Sequence, residues 1–204
     1  MARAFSRVAG KDYPEHGIKK GDTYYYWSIG FRGAKQMSKT RPRQSQLTGS
    51  KMSGAYAASE AAGDAIDAAT SIEDITSALS DCVDAIREVA SEYEEAAQAT
   101  TGNGNRVPNA DEMEEKAQGL NDWADSIEQD ATEVEGIEVA DHVDENTTIE
   151  DLDEDQIEVE QDTEGNETKK RKDVEDFDDL TDAEKDDMLE AARDAARANL
   201  DCPL

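Results

Sequence analysis

The sequence predicts an α+β protein, with a small, basic, β-rich N-terminal module ahead of a strongly acidic helical body. Three observations predict it. Charge is segregated: residues 1–55 hold 11 Lys and Arg against 3 Asp and Glu, whereas residues 56–204 hold 10 against 47. The run Thr23-Tyr24-Tyr25-Tyr26-Trp27-Ser28-Ile29 is dense in β-forming residues. Two apolar stripes at helical spacing flank a polar loop at 100–109. The expected units are a basic aromatic module (1–55), an acidic antiparallel helical hairpin (56–135), a disordered acidic linker (136–180) and a C-terminal amphipathic helix (181–204).

Core material is scarce. Of 204 residues, 36% are hydrophobic and 5% aromatic against 35% charged, and the net charge is −29. A compact globule would concentrate that charge and repel itself, so an extended shape, partial disorder or high-salt surroundings are expected. Acidity on this scale also fits general adaptation to a cell interior at molar salt. The +8 balance of residues 1–55 shows that the acidity is not uniform.

In the module, residues 1–12 read as a loose basic lead-in. Pro14, Gly17 and Gly21 make the following stretch turn-rich. The strand over 23–29 ends at Gly30 and Gly33, and a second strand is expected near Ala34–Ser38. Strand alternation sets Tyr24 and Tyr26 on one face and Tyr25 and Trp27 on the other. One face can then be core and the other a contact surface.

In the body, Ala55–Ala69 is Ala-rich and weakly amphipathic, and reads as a helix. Thr70 or Ser71 caps the next, with Asp74 in its first turn. Its stripe is Ile72, Ile75, Leu79, Val83, Ile86, Ala90 and Tyr93, at spacings of 3, 4, 4, 3, 4 and 3. The second stripe is Met113, Ala117, Leu120, Ala124, Ile127, Ala131 and Val134, at 4, 3, 4, 3, 4 and 3, flanked by Trp123. Two such helices around a short loop make an antiparallel hairpin. Short, Ala-diluted stripes call for support from the N-terminal module or from a second copy, which would make a homodimer through the helical stripes. Residues 136–180 hold too little apolar area to offset chain entropy. Thr181-Asp182-Ala183-Glu184 matches a capping box, opening a helix whose apolar side is Met188, Leu189, Ala192, Ala196 and Leu200.

The site candidates lie in the module, where Lys11, Lys19, Lys20, Arg32, Lys35, Lys39, Arg41 and Arg43 are interleaved with Tyr24, Tyr26 and Trp27. Basic groups neutralise phosphates, and exposed aromatics stack on unpaired bases at ~1–3 kcal/mol each. The same residues could instead be the core and solubilising shell of a tiny domain, or a dock for acidic protein. Elsewhere the motifs needed for catalysis or metal binding are missing. His16 and His142 have no ligand neighbours and read as exposed. Asp151, Asp153 and Asp155 lack the Gly and terminal Glu of a calcium loop. There is no phosphate loop, nucleophile elbow or His/Cys dyad. No enzymatic activity, cofactor or metal is expected. Cys82 and Cys202 form no disulfide framework, and Cys82 reads as a small helix-core residue in a reducing compartment. Lys169-Lys170-Arg171-Lys172 reads as an electrostatic counterweight within the acid run rather than a localisation signal. No apolar run reaches the ~18 residues of a membrane span, so the expected location is the cytoplasm, with no membrane partner.

Ile18-Lys19-Lys20-Gly21-Asp22-x-Tyr24-Tyr25-x-Trp27, followed by Ser38-Lys39-Thr40-x-Pro42-x-x-Ser45-Gln46-Leu47-Thr48-x-Ser50, resembles a segment of uncharacterised proteins of tailed phages and archaeal viruses. The Ile18–Tyr24 part is similar to the PARP-type zinc finger, a treble-clef-like nucleic-acid binder. That family places cysteines where this chain reads Val8–Asp12 and Gln36–Lys39, and residues 1–81 contain no cysteine. The resemblance therefore implies a finger that has lost its zinc and replaced it by packing. With it, three functions are open: binding of nucleic acid or a nucleoprotein complex by the basic module, an acidic DNA mimic that occupies a host DNA-binding or defence protein, or a virion-associated structural or assembly factor.

Overall fold

The β-forming run does become the centre of a sheet. The computed structural model describes residues 2–30, 33–101, 109–144, 147–153, 156–161, 167–174 and 176–203. Strand β2 (Thr23–Ser28) lies between β1 (Phe5–Val8) and β3 (Lys35–Ser38), antiparallel to both. The register pairs Phe5 with Tyr26 and Arg7 with Tyr24 on one side, and Tyr26 with Met37 and Ser28 with Lys35 on the other. Residues 5–8 thus belong to the sheet and are not a loose lead-in. All four are exposed, so they carry none of the hydrophobic alternation by which a strand is read. Their place is fixed by backbone pairing and by the 9–22 excursion. There Ala9 N–H donates to Asp22 O and Gly21 N–H to Ala9 O, both at 2.8 Å. Gly21 takes φ 94°, a left-handed conformation that favours glycine. A small core of Ala9, Ile18 and Tyr24 results, with Tyr13, Tyr26 and Met37 packed against it.

A short helix, α1 (Gln44–Leu47), joins the module to the body. Ser45 N–H donates to the Glu60 carboxylate of α2 (Met52–Ala68). Arg43 forks onto Asp64 at 2.7 and 2.9 Å, and Lys51 pairs with Glu92 at 2.9 Å. These basic residues fasten the module to acidic helices.

The hairpin expected from the two stripes is α3 (Ile72–Thr101) and α4 (Asn109–Glu135); most of its expected loop, 102–108, lies outside the described residues. Ser71 Oγ accepts from Asp74 N–H at 3.1 Å, while the Asp74 carboxylate reaches back to Thr70 N–H, closing the start of α3. Ile75, Leu79, Val83, Ile86, Ala90 and Tyr93 share one core with Ala117, Leu120, Ala124, Ile127 and Val134. Trp123, expected beside the stripe, is buried in that core, and its Nε1 donates to Asn199 O at 2.8 Å. α2 and the last helix, α5 (Asp182–Ala196), pack onto the same core. Most of both stripes is therefore packed inside one chain. Cys82 is buried among them, and burial pushes its thiol up to about 11.

Among the described residues of 136–180, some short elements form within the segment expected to be a disordered linker. Strands β4 (Ile157–Gln161) and β5 (Glu167–Arg171) pair antiparallel, and short 3-10 turns occupy Val139–His142, Ile149–Asp151 and Phe177–Asp179. Leu152 and Leu180 are buried. Polar contacts tie these described residues to α5 and to the turn before it, and such contacts leave no periodic trace in sequence. The Gln156 amide donates to Asp179 O and Leu180 O, each at 3.0 Å. The Arg171 guanidinium, from the basic island, meets the Glu184 carboxylate in a two-pronged bond of 2.7 and 2.6 Å. Glu184 is only 4% exposed and also accepts from Thr181 N–H and Asp144 N–H, so its capping box doubles as an anchor. The Arg171 guanidinium, aided by those backbone donors, holds the Glu184 carboxyl far below the usual carboxylate range. His142, read as exposed, has a mostly covered side chain and bonds Asp187 through Nδ1 at 2.8 Å.

Two stability outcomes follow from this packing. Ile127→Ala should cost about 2–5 kcal/mol in urea denaturation, because the hole opens at the centre of the shared core. Glu184→Gln should cost about 3–5 kcal/mol, since it strands the Arg171 charge. The depressed carboxyl adds stability that is fully present above the ordinary carboxylate pKa of ~4.3 and is lost as pH falls toward its lowered value. The variant's stability should accordingly fall less on acidification than the parent's.

Candidate nucleic-acid interface

Paired residues in an antiparallel sheet point to the same side. The β1–β2–β3 register therefore puts Phe5, Arg7, Tyr24, Tyr26, Lys35 and Met37 on one face, with Ser6, Val8, Tyr25 and Trp27 on the other. Neither face is wholly core or wholly contact surface. On the first, Tyr24 is 3% exposed, in contact with Tyr13 and Ile18 of the covering loop. The aromatic line then emerges from the core. Tyr24 and Tyr26 have ring centroids 6.1 Å apart, and Tyr26 and Phe5 stack at 5.6 Å with 27° between planes. Phe5, at the outer end, is 54% exposed. On the second face Trp27 is 7% exposed, and its Nε1 donates to Gln46 O at 3.0 Å, seating α1 on the sheet. Tyr24 and Trp27, expected to stack on bases, are thus core residues with no ring face free for a ligand.

The cations divide in the same way. Lys35 Nζ lies 4.1 Å from the Tyr26 ring centroid, and Lys11 Nζ lies 5.4 Å from that of Tyr13, both in cation–π range. Lys19 and Lys20 are exposed at the Gly21 turn, where their backbone N–H groups donate to Asp22 at 3.0 Å and Asp12 at 2.6 Å. Lys39 binds the Asp22 carboxylate at 2.9 Å, and this contact, with Lys19 N–H, lowers the Asp22 pKa. Arg41 is exposed beside the buried Pro42. Arg43 is turned toward the body by Asp64 and holds that carboxyl low, so it serves attachment rather than the free face. Arg32 lies outside the described residues. The structure brings together Tyr26 and Lys35 and adds Phe5 and Arg7, which sequence reasoning missed. The available signal was that a strand as apolar as β2 needs a partner on each edge.

Among the described residues no group of three or more His, Cys, Asp or Glu is placed to hold a metal ion. Among them also, no helix is long and apolar enough to cross a membrane. Chemically, the sheet offers an exposed apolar ring at the end of an aromatic line rooted in the module's core, with cations at hand for anions.

The split between core and surface aromatics is measurable. Trp27→Ala should destabilise the protein by about 3–5 kcal/mol, as for a buried Trp. Phe5→Ala should cost about 1 kcal/mol or less, the scale of one cross-strand pair. Thermal denaturation of both variants checks the contrast. Compared with known proteins, the chain matches no family model, no curated protein and no solved structure.

Proposed function

We propose that this chain is a non-enzymatic, phage-like accessory protein that binds nucleic acid, or a nucleoprotein complex, through its basic N-terminal module. The observation that carries the reading is the Phe5–Tyr26–Lys35 cluster: an uncovered aromatic ring stacked on a second ring that holds an ammonium group against its face. It sits in a segment with a net charge of +8. Arg7, Lys11, Lys19 and Lys20 add cations within the same module and are exposed. At 0.1 M salt the Debye length is ~10 Å, so phosphates on this face feel the module's nearby cations more than distant carboxylates of the body. Packing at Ala9 and Met37, in the two regions where a PARP-type finger carries cysteines, is consistent with a zinc-free relative of that finger.

A second reading draws on α3. Asp81, Asp84, Glu88 and Glu95 are exposed at helical spacing and form an acidic line that could stand in for phosphates and occupy a host DNA-binding protein.

The two separate in solution. The full-length protein should bind a labelled oligonucleotide at ~50 mM salt and bind it about tenfold or more weakly at ~200 mM, because bound counterions are released. Lys19→Glu with Lys20→Glu should weaken binding further and flatten the salt slope. Absence of binding at the lower salt would eliminate the first reading. Displacement of DNA from a host DNA-binding protein by the same sample would favour the second.

A further inference from the structure

We infer that the Phe5 end of the sheet is a stacking platform for an unpaired base, so that the protein takes single-stranded nucleic acid in preference to duplex. This rests on the nucleic-acid reading and narrows it. Phe5 lies on an edge strand, since the sheet order is β1–β2–β3 and, among the described residues, no further strand pairs with β1. Phe5 is 54% exposed, yet its ring is in contact with the sheet. It rests on Tyr26, which rests on Tyr24, which is 3% exposed in the module's core. A ring held this way offers its outer side to a ligand without the entropy cost of ordering a free side chain.

The chemistry beside it selects the ligand. Lys35 Nζ, 4.1 Å from the Tyr26 ring centroid, and Arg7, exposed on the same face, supply positive charge within reach of a backbone whose base stacks on Phe5. Every base has a π-face, so such a site tolerates any sequence. In a duplex those faces are hidden within the stack, and exposing one requires unpairing and unstacking it. Lys35, Arg7 and the exposed lysines of the Gly21 turn can still meet duplex phosphates, but Phe5 adds nothing there. The platform therefore discriminates strandedness, while the cations set affinity for both forms.

The test uses the full-length protein at ~50 mM salt, with one labelled single-stranded oligonucleotide and the same strand annealed to its complement. The expected result is single-strand binding about tenfold tighter than duplex binding, with Phe5→Ala weakening the single strand by about fivefold to 100-fold. Duplex affinity should stay within about twofold in that variant, and Phe5→Trp should restore single-strand binding. Phe5→Leu keeps the apolar bulk and loses the ring. It should behave as Phe5→Ala does, which separates stacking from any disturbance of the sheet. Equal affinity for both forms, or a Phe5→Ala loss shared equally between them, would overturn the platform and leave nucleic-acid binding standing. Failure of both forms to bind, or of the single strand alone, would overturn the platform, and failure of both would overturn nucleic-acid binding itself.

Discussion

Ile75, Leu79, Val83 and Ile86 of α3 share a closed core with Leu120, Ala124 and Ile127 of α4, and the rest of the body is assembled on that seam. A chain that is 36% hydrophobic and carries a net charge of −29 has little apolar material for such a core, so its placement matters. The 3/4 spacing gathers the apolar residues on one side of each helix. Most carboxylates are left on the outer faces, where water and ions screen them. α2 covers α3, and α5 lies against both helices of the hairpin. The Arg193 guanidinium donates to Ile66 O, which also accepts from Ala69 N–H, and to Ala69 O, and so ties α5 to the end of α2.

Two buried carboxylates decide where the last third of the chain docks. Asp130, 2% exposed, accepts from both the backbone and the side-chain amide of Asn199 at 2.9 and 2.8 Å. Glu184 gathers Arg171, Thr181 and Asp144. A buried charge is tolerable only when it is paired and fully hydrogen-bonded, so each carboxylate accepts one arrangement of its partners. The apolar seam supplies the drive to fold, and these polar contacts supply the specificity that small Ala-rich surfaces lack. They also tie Asp144, Gln156 and Arg171, from a segment with little apolar area, to the residues around the start of α5.

The basic module is joined to the body by charge as well as packing, through Arg43–Asp64 and Lys51–Glu92. Its excess cations thus fall into two groups. Some, with Arg43 the clearest case, are occupied by the body. Others, such as Arg7, Lys11 and Lys35, lie among the aromatic rings and give the sheet a surface unlike any on the acidic helices. That contrast between the two ends of one chain underlies the functional reading.

Much of the architecture was legible in the sequence because it is written in local rules. Stripe spacing, the Ser71 cap, the Thr181–Glu184 capping box and the β-forming run at 23–28 involve residues within a few positions of one another. Backbone geometry alone relates such residues. The site was legible only in part. Composition located the basic aromatic segment and included Tyr26 and Lys35, but placed Tyr24 and Trp27 beside them as equals and passed over Phe5. Whether a strand aromatic is core or surface depends on what lies over each face, and here the covers are the 9–22 loop and α1. The Arg171–Glu184 bond likewise joins residues on separate elements with no periodic relation. The sequence by itself determined the charge segregation, the helices and their caps. Only the tertiary structure decided which rings meet solvent, which cations stay free and which carboxylates are buried, because those outcomes depend on contacts between distant segments.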